Sequence, residues 1–180
     1  MILDIGCGDA KLPGAVGLDI SADTQADVVH DMNVFPWPCH DGQFDLVNCQ
    51  DVLEHLDNLV RVMEEIHRIA KPGAEIRIRV PHFTSVHAFT DLTHRHFFAT
   101  QSFDCWSPTA SLYPHYSCAR FAIEACRLVL WKPYRVLGIG LLANRFKLRY
   151  EKMFAFIFPA EAIEFRLKAL PADDGRGGKR

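Results

Sequence analysis

The chain has 180 residues, 49% of them hydrophobic, and a formal net charge of −2 at neutral pH. That length and apolar content suit one domain around one substantial core, and the balanced charge gives no reason to expect a nucleic-acid partner. Six cysteines at 7, 39, 49, 105, 118 and 126 include no CxxC pair, which favours reduced thiols and a cytoplasmic setting over a disulfide framework.

A first strand at residues 2–5 runs into Gly6-Cys7-Gly8, and a second at 16–20 carries Asp19 near its end. An apolar strand leading to G-x-G, followed by a strand ending in an acid, is how an open α/β sheet builds a nucleoside pocket. The glycines let backbone N–H groups approach a ligand, and a side chain at Gly6 is expected to enter the ligand's space. Only ten residues separate Gly8 from Asp19, and Pro13-Gly14 breaks them. The first crossover helix is therefore shortened or absent.

A third strand at 26–29 leads to His30-Asp31-Met32, and a proline-aromatic segment at 35–43 leads into a fourth strand that reaches Val47 and is followed by Asn48-Cys49-Gln50-Asp51. Leu59, Val60, Met63, Ile66 and Ala70 recur at helical spacing, with Asp57 or Asn58 as N-cap and Lys71-Pro72-Gly73 closing the helix. Its Arg61, Glu64, Glu65 and Arg68 are expected to face water. Strand five at 74–80 alternates with period two. Residues 81–114 read as loop with a short helix near 101–106, and 121–131 and 162–170 read as two closing strands in an antiparallel hairpin. Two apolar runs, 136–143 and 153–158, are too short to span a bilayer. They are expected to pack in the core against the under-covered sheet, with an interfacial patch, a dimer surface or a wall for a lipid-like acceptor as the other roles open to them. Residues 1–172 read as one domain, and 173–180, charged and glycine-rich, as a disordered tail.

The order of these pieces over roughly residues 1–82 resembles class I S-adenosylmethionine-dependent methyltransferases, in particular proteins with a G-C-G-x-x-K-x-P-G pattern and a short first helix. The resemblance implies an α/β fold, a Rossmann-like sheet that is mostly parallel with an antiparallel C-terminal strand. It also implies S-adenosyl-L-methionine as cofactor, held at the first turn by Asp4, Gly6, Cys7 and Gly8. Asp19 would take the ribose hydroxyls beside Ile20, Asp31 the adenine amino group beside Met32, and Gln50 would complete the pocket. A dinucleotide is the rival ligand, but its fingerprint wants Gly or Ala where this chain has Lys11, and a helix N-terminus for the pyrophosphate.

The acceptor site is expected along residues 81–98, which leave strand five at the ligand edge of the sheet. His82 and His94 are the candidate catalytic residues, with His55, Thr84, Asp91 and His96 as acceptor-binding residues and Phe97 and Phe98 anchoring the loop. Asp91, His94 and His96 lack a standard metal-ligand spacing, so no metal is expected. Together these readings give a methyltransferase acting on a small or lipid-linked molecule, with no transmembrane segment, and with peripheral membrane contact or a homodimer left open. The alternative is a protein of the same fold that binds S-adenosylmethionine or S-adenosylhomocysteine without catalysis. Met1 leads directly into the first strand, so no signal peptide is expected.

Overall fold

The computed structural model describes residues 1–109 and 117–171. Among the described residues seven strands are formed: β1 (Ile2–Ile5), β2 (Val16–Asp19), β3 (Val28–Val29), β4 (Phe44–Gln50), β5 (Ala70–Pro81), β6 (Phe121–Leu130) and β7 (Ala160–Ala169). They make one sheet in the order β3-β2-β1-β4-β5-β7-β6. The pairs among β3, β2, β1, β4 and β5 are parallel, whereas β7 runs antiparallel to both β5 and β6. The order reverses between β1 and β4, so the carboxyl ends of the parallel strands form the ligand-binding edge of an open α/β sheet. The residues proposed as a disordered tail lie outside the described residues.

The first crossover has no helix at all: residues 6–15 are turns. Three contacts explain how so short a connection closes. Asp4 accepts from the Leu12 N–H at 2.7 Å, and Asp27 Oδ2 accepts from the Gly17 N–H at 2.7 Å and from Lys11 Nζ at 2.8 Å. The loop then lies directly on β2, where a Cβ at Gly17 would stand 2.7 Å from Lys11 Cδ and 2.8 Å from Cys7 Sγ. Glycine at 17 leaves the room that a helix would otherwise have to bridge.

The main helix, α1 (Leu59–Ile69), starts where Asn58 accepts from the Arg61 N–H at 3.1 Å. Its buried stripe is Val62, Met63, Ile66 and Ile69, with Leu59 and Val60 only half-buried. Glu65 and Arg68 do not both face water as expected. Glu65 is buried and accepts from the Trp37 N–H at 2.6 Å, and Arg68 donates to Glu65 and to the Cys39 carbonyl at 2.9 Å. The pair clamps the proline-aromatic segment to the helix. Strand β5 begins at Ala70, without the break expected at Lys71-Pro72-Gly73; Ala70 pairs with Phe44 and the register then shifts.

Between β6 and β7 the chain inserts α3 (Lys132–Val136), α4 (Ile139–Arg145) and α5 (Lys147–Met153), while α2 (His87–Thr90) is a single turn after β5. Because Leu130 pairs with Ala160 and Ala162 with Pro81, the insert stands at the same edge as the carboxyl end of β5. Asn144 docks it on β6, accepting from the Leu128 N–H at 2.8 Å and donating to the Leu128 carbonyl at 2.9 Å. The expectation that its apolar runs pack in the core is not met. Ala143, Tyr150 and Ala155 are buried, but Leu137, Leu141 and Phe156 are 74%, 79% and 81% exposed.

Candidate active site

At the first turn, the Gly6 N–H donates to the Leu18 carbonyl at 2.8 Å, which ties the loop to β2 as soon as β1 ends. Gly6 has φ +64° and Gly8 φ +48°, a region that favours glycine. They differ in surroundings: a Cβ at Gly6 would stand 2.6 Å from Val52 Cγ2, whereas one at Gly8 would meet open space. The side of the turn that a ligand can approach is therefore Gly8, and the expectation placed on Gly6 is corrected.

Asp19, buried at the end of β2, accepts from the Gly8 N–H at 2.9 Å and the Ser21 N–H at 3.0 Å. Beside it Ile20 is 60% exposed, an apolar side chain held in the open next to a fixed carboxylate. The His30 N–H donates to the Asp19 carbonyl at 2.8 Å, so Asp31 and Met32 follow at the same edge. Asp31 accepts from the Asn33 N–H at 2.9 Å, and Met32 is buried with its carbonyl accepting from Trp37 Nε1 at 3.0 Å.

Asp4 is buried behind this surface, while Gln50 is exposed at the end of β4. Gln50 donates to Asn48 Oδ1 at 3.0 Å, and Asn48 donates to Asp4 Oδ1 at 2.7 Å, so the buried Asp4 links the loop to β4. Both of its carboxylate oxygens are engaged within the protein, one by the Leu12 N–H and one by Asn48 Nδ2, which suits it to positioning the loop. Burial, and after it the Asp19 and Asp4 charges, push the Cys7 thiol up. Its sulfur packs under β2 near Gly17, which leaves the Cys7 backbone as the part available at the turn.

The histidines separate into two groups. His82 is fully buried: Nδ1 lies 2.6 Å from Thr84 Oγ1, and Nε2 lies 3.4 Å from Glu151 Oε1 on α5. Glu151 also accepts from the Thr100 N–H at 2.7 Å and hydroxyl at 2.8 Å. His82, and Thr84 with it, brace the insert against β5; the expectation that His82 faces an acceptor is corrected, because its ring is used on both sides. His96 is likewise a brace, with Nε2 donating to the Leu56 carbonyl at 2.7 Å. Phe98 anchors the loop in the core, but Phe97 is exposed and stacks on Phe89 with centroids 4.8 Å apart.

His55 and His94 come together with their ring centroids 4.5 Å apart. They line a cavity of about 360 Å³ shared with Glu54, Arg79, Asp91 and Glu161. Asp91 reaches His55 through Thr93, whose hydroxyl donates to Asp91 at 2.7 Å and lies 2.8 Å from His55 Nδ1. Glu54, which sequence reasoning missed, is buried in this wall; burial is the main reason its carboxyl is pushed up to about 7. Burial, then the nearby His94, lowers the pKa of His55. The signal available in the sequence was an acid-His pair between Leu53 and Leu56, directly after strand four.

Burial pushes the Glu151 carboxyl up, but hydrogen bonds from His82 and Thr100 outweigh it and hold the group below the usual range. The unfolded chain binds that proton more tightly, so the carboxylate's stabilisation is present above about pH 4.3 and is lost as pH falls through the lower folded value. Glu151→Gln is therefore expected to melt below the wild type at about pH 7, with the gap narrowing as the pH falls below about 4.3. Thermal melts of both proteins across an acid pH series check this, and a gap of constant size would contradict it.

Residues 3–78 match the family model described as a methyltransferase domain. No curated protein matches the chain in sequence. Among solved structures, a SAM-dependent methyltransferase from Archaeoglobus fulgidus is similar with a TM-score of 0.58 at 19% identity, over 93% of this chain and 85% of that one. The complex of the Haloferax volcanii Trm112 activator with a methyltransferase gives 0.58 at 16% identity, over 94% and 82%. Phosphoethanolamine N-methyltransferase 2 of Haemonchus contortus, solved with S-adenosyl-L-methionine, gives 0.55 at 15% identity, over 94% of this chain and 48% of that one. The fold is that of class I methyltransferases, as the sequence resemblance implied.

Proposed function

We propose that this chain, with its methyltransferase-domain match and class I methyltransferase fold, is an S-adenosylmethionine-dependent methyltransferase whose acceptor is lipid-linked. The first turn suits the cofactor: open space over Gly8, the fixed Asp19 carboxylate and the exposed Ile20 offer room for a close approach to the backbone, a ribose acceptor and an apolar platform for adenine. Gly8, Asp19, Ile20 and Asp31 would hold it, and the bound cofactor supplies an electrophilic methyl group on a sulfonium. The protein's own task is to hold the acceptor atom in line with that methyl and to exclude water. His94 and His55 are the groups placed to hold or take an acceptor proton, since their cavity adjoins Asp51 at the end of β4 and Pro81 at the end of β5.

The observation that carries the lipid-linked acceptor is the insert at residues 131–159. It presents Leu137, Leu141, Phe156 and Ile157 to solvent, and among its charged residues are six cations, Lys132, Arg135, Arg145, Lys147, Arg149 and Lys152, against one acid, Glu151. The rest of the chain is net acidic, so the charge is concentrated on this element. A cavity of about 490 Å³ between β6 and α4 is lined by Arg127, Arg135 and Lys147. Apolar side chains interleaved with cations match an anionic bilayer surface, with about 1 kcal/mol per cation near the membrane and about 1.5–3 kcal/mol per large apolar side chain that enters it. No helix among the described residues is long and apolar enough to cross a membrane, so contact from one side is the arrangement proposed, on the cytoplasmic face. The intact first turn speaks for turnover over the non-catalytic alternative.

Methyl-labelled S-adenosylmethionine incubated with the protein and anionic vesicles of membrane lipid extract tests this reading. Label is expected in the organic phase, and the double variant Leu141→Asp/Phe156→Asp is expected to lose at least about tenfold in vesicle affinity while keeping its affinity for S-adenosylhomocysteine. Label transferred only to water-soluble acceptors, with no vesicle binding, would contradict it.

A further inference from the structure

We propose that Glu54, His55 and His94 form a binding site for one divalent transition-metal ion of the zinc class. One potential ligand atom from each of the three lies within 4.8 Å of the other two, so small side-chain rotations would draw them to the separations of about 3.3–3.6 Å that tetrahedral bonds of about 2.0–2.2 Å require.

Glu54 supplies the independent observation. It is 1% exposed, and neither of its carboxylate oxygens has a hydrogen-bond partner among the described residues. A buried carboxylate normally has its lone pairs satisfied, and one left bare costs several times an ordinary hydrogen bond. The two imidazoles are prepared in a complementary way. Thr93 gives its hydroxyl proton to Asp91, so His55 Nδ1–H donates to Thr93 Oγ1 at 2.8 Å. His94 Nδ1–H donates to the Ala88 carbonyl at 3.2 Å. Each ring thus keeps the lone pair of its Nε2, and the outer hydrogen bonds fix orientation in the manner of partners behind metal-bound histidines.

The backbone holds the two segments together. The Glu54 carbonyl accepts from the Arg95 N–H at 2.7 Å, which pins the residue after His94 to the residue before His55. Asp51, with φ +51°, turns the chain out of β4 just ahead of this pair. Two imidazoles and one carboxylate suit zinc and its transition-metal neighbours, whereas magnesium prefers oxygen ligands and retains water. The remaining coordination positions have room for an oxygen ligand, since all three residues share the wall of the 360 Å³ cavity. This inference draws on the same two imidazoles that the methyl-transfer reading offers to an acceptor proton, and an ion bound there would replace that proton role; its test reads metal binding without turnover, so it stands or falls separately from methyl transfer.

Chelator-stripped full-length protein, titrated calorimetrically with zinc chloride and then with magnesium chloride, is expected to bind a single equivalent of zinc more tightly than magnesium. Glu54→Gln, which keeps the side chain's shape, and His94→Asn are each expected to weaken zinc by at least about 100-fold, with circular dichroism confirming an unchanged metal-free fold. If His94→Asn fails to fold, Glu54→Gln decides alone. Cobalt(II) in place of zinc should give ligand-field bands without a thiolate charge-transfer band. No stoichiometric zinc, equal affinity in a folded Glu54→Gln variant, or a thiolate band reporting binding at the cysteines would overturn the site and leave Glu54 as a buried protonated acid.

Discussion

Gly6→Val is expected to unfold much of the protein at physiological temperature, whereas Gly8→Ala should fold and fail to bind. At Gly6 the left-handed φ of +64° and a Cβ only 2.6 Å from Val52 Cγ2 act together. The conformational term is about 1–3 kcal/mol for a branched residue, and overpacking against β4's following turn adds about 1–3 kcal/mol. Their sum is a large fraction of a typical stability of about 5–15 kcal/mol. At Gly8 a methyl meets no protein atom within 4 Å, so only the strained φ is charged against folding, while the methyl occupies the ligand's approach. Thermal melts with and without S-adenosylhomocysteine separate the two: a low melting point for Gly6→Val, and a near-native one without ligand shift for Gly8→Ala. Equal melting points would refute the different roles given to the two glycines.

Asp4→Ala should be the most damaging single loss of a polar group at the first turn. It strips partners from the Leu12 N–H and from Asn48 Nδ2, both 2.7 Å from its carboxylate. Leaving two such donors unpaired costs about 1–3 kcal/mol each, and loop 6–15 has no helix to hold it otherwise. Asp4→Asn should recover only part, because its amide carries one acceptor oxygen for two donors. Denaturant melts give the ranking, and S-adenosylhomocysteine affinity should fall in the same order because the loop carries Gly8. A fully stable Asp4→Ala protein with native affinity would show that the loop is held by something else.

Much of this was legible in the sequence because it rests on local signals. The strand to G-x-G to acid succession, the missing crossover helix across Pro13-Gly14, the Asn58 cap and the alternation that marks β5 each follow from a few neighbouring residues. What was not legible depends on distant partners. Glu65 and Arg68 look like solvent-facing helix residues until Trp37, Cys39 and Asp41 fold against them. His82 looks like a residue at a ligand edge until α5 brings Glu151 to it from 69 positions away. The apolar runs of the insert have the composition of core, and composition does not tell whether a partner surface exists within the chain. Glu54, His55 and His94 join only because the loop after β5 returns over the end of β4.

Calorimetric titration of the wild type and Asp19→Ala with S-adenosylhomocysteine, with NAD as the control ligand, tests the central claim most directly. The account predicts stoichiometric binding of S-adenosylhomocysteine to the wild type, weakened in Asp19→Ala by up to about 3 kcal/mol through loss of charge-assisted hydrogen bonds, and no binding of NAD. Binding of NAD with none of S-adenosylhomocysteine, or undiminished S-adenosylhomocysteine affinity in Asp19→Ala, would contradict it.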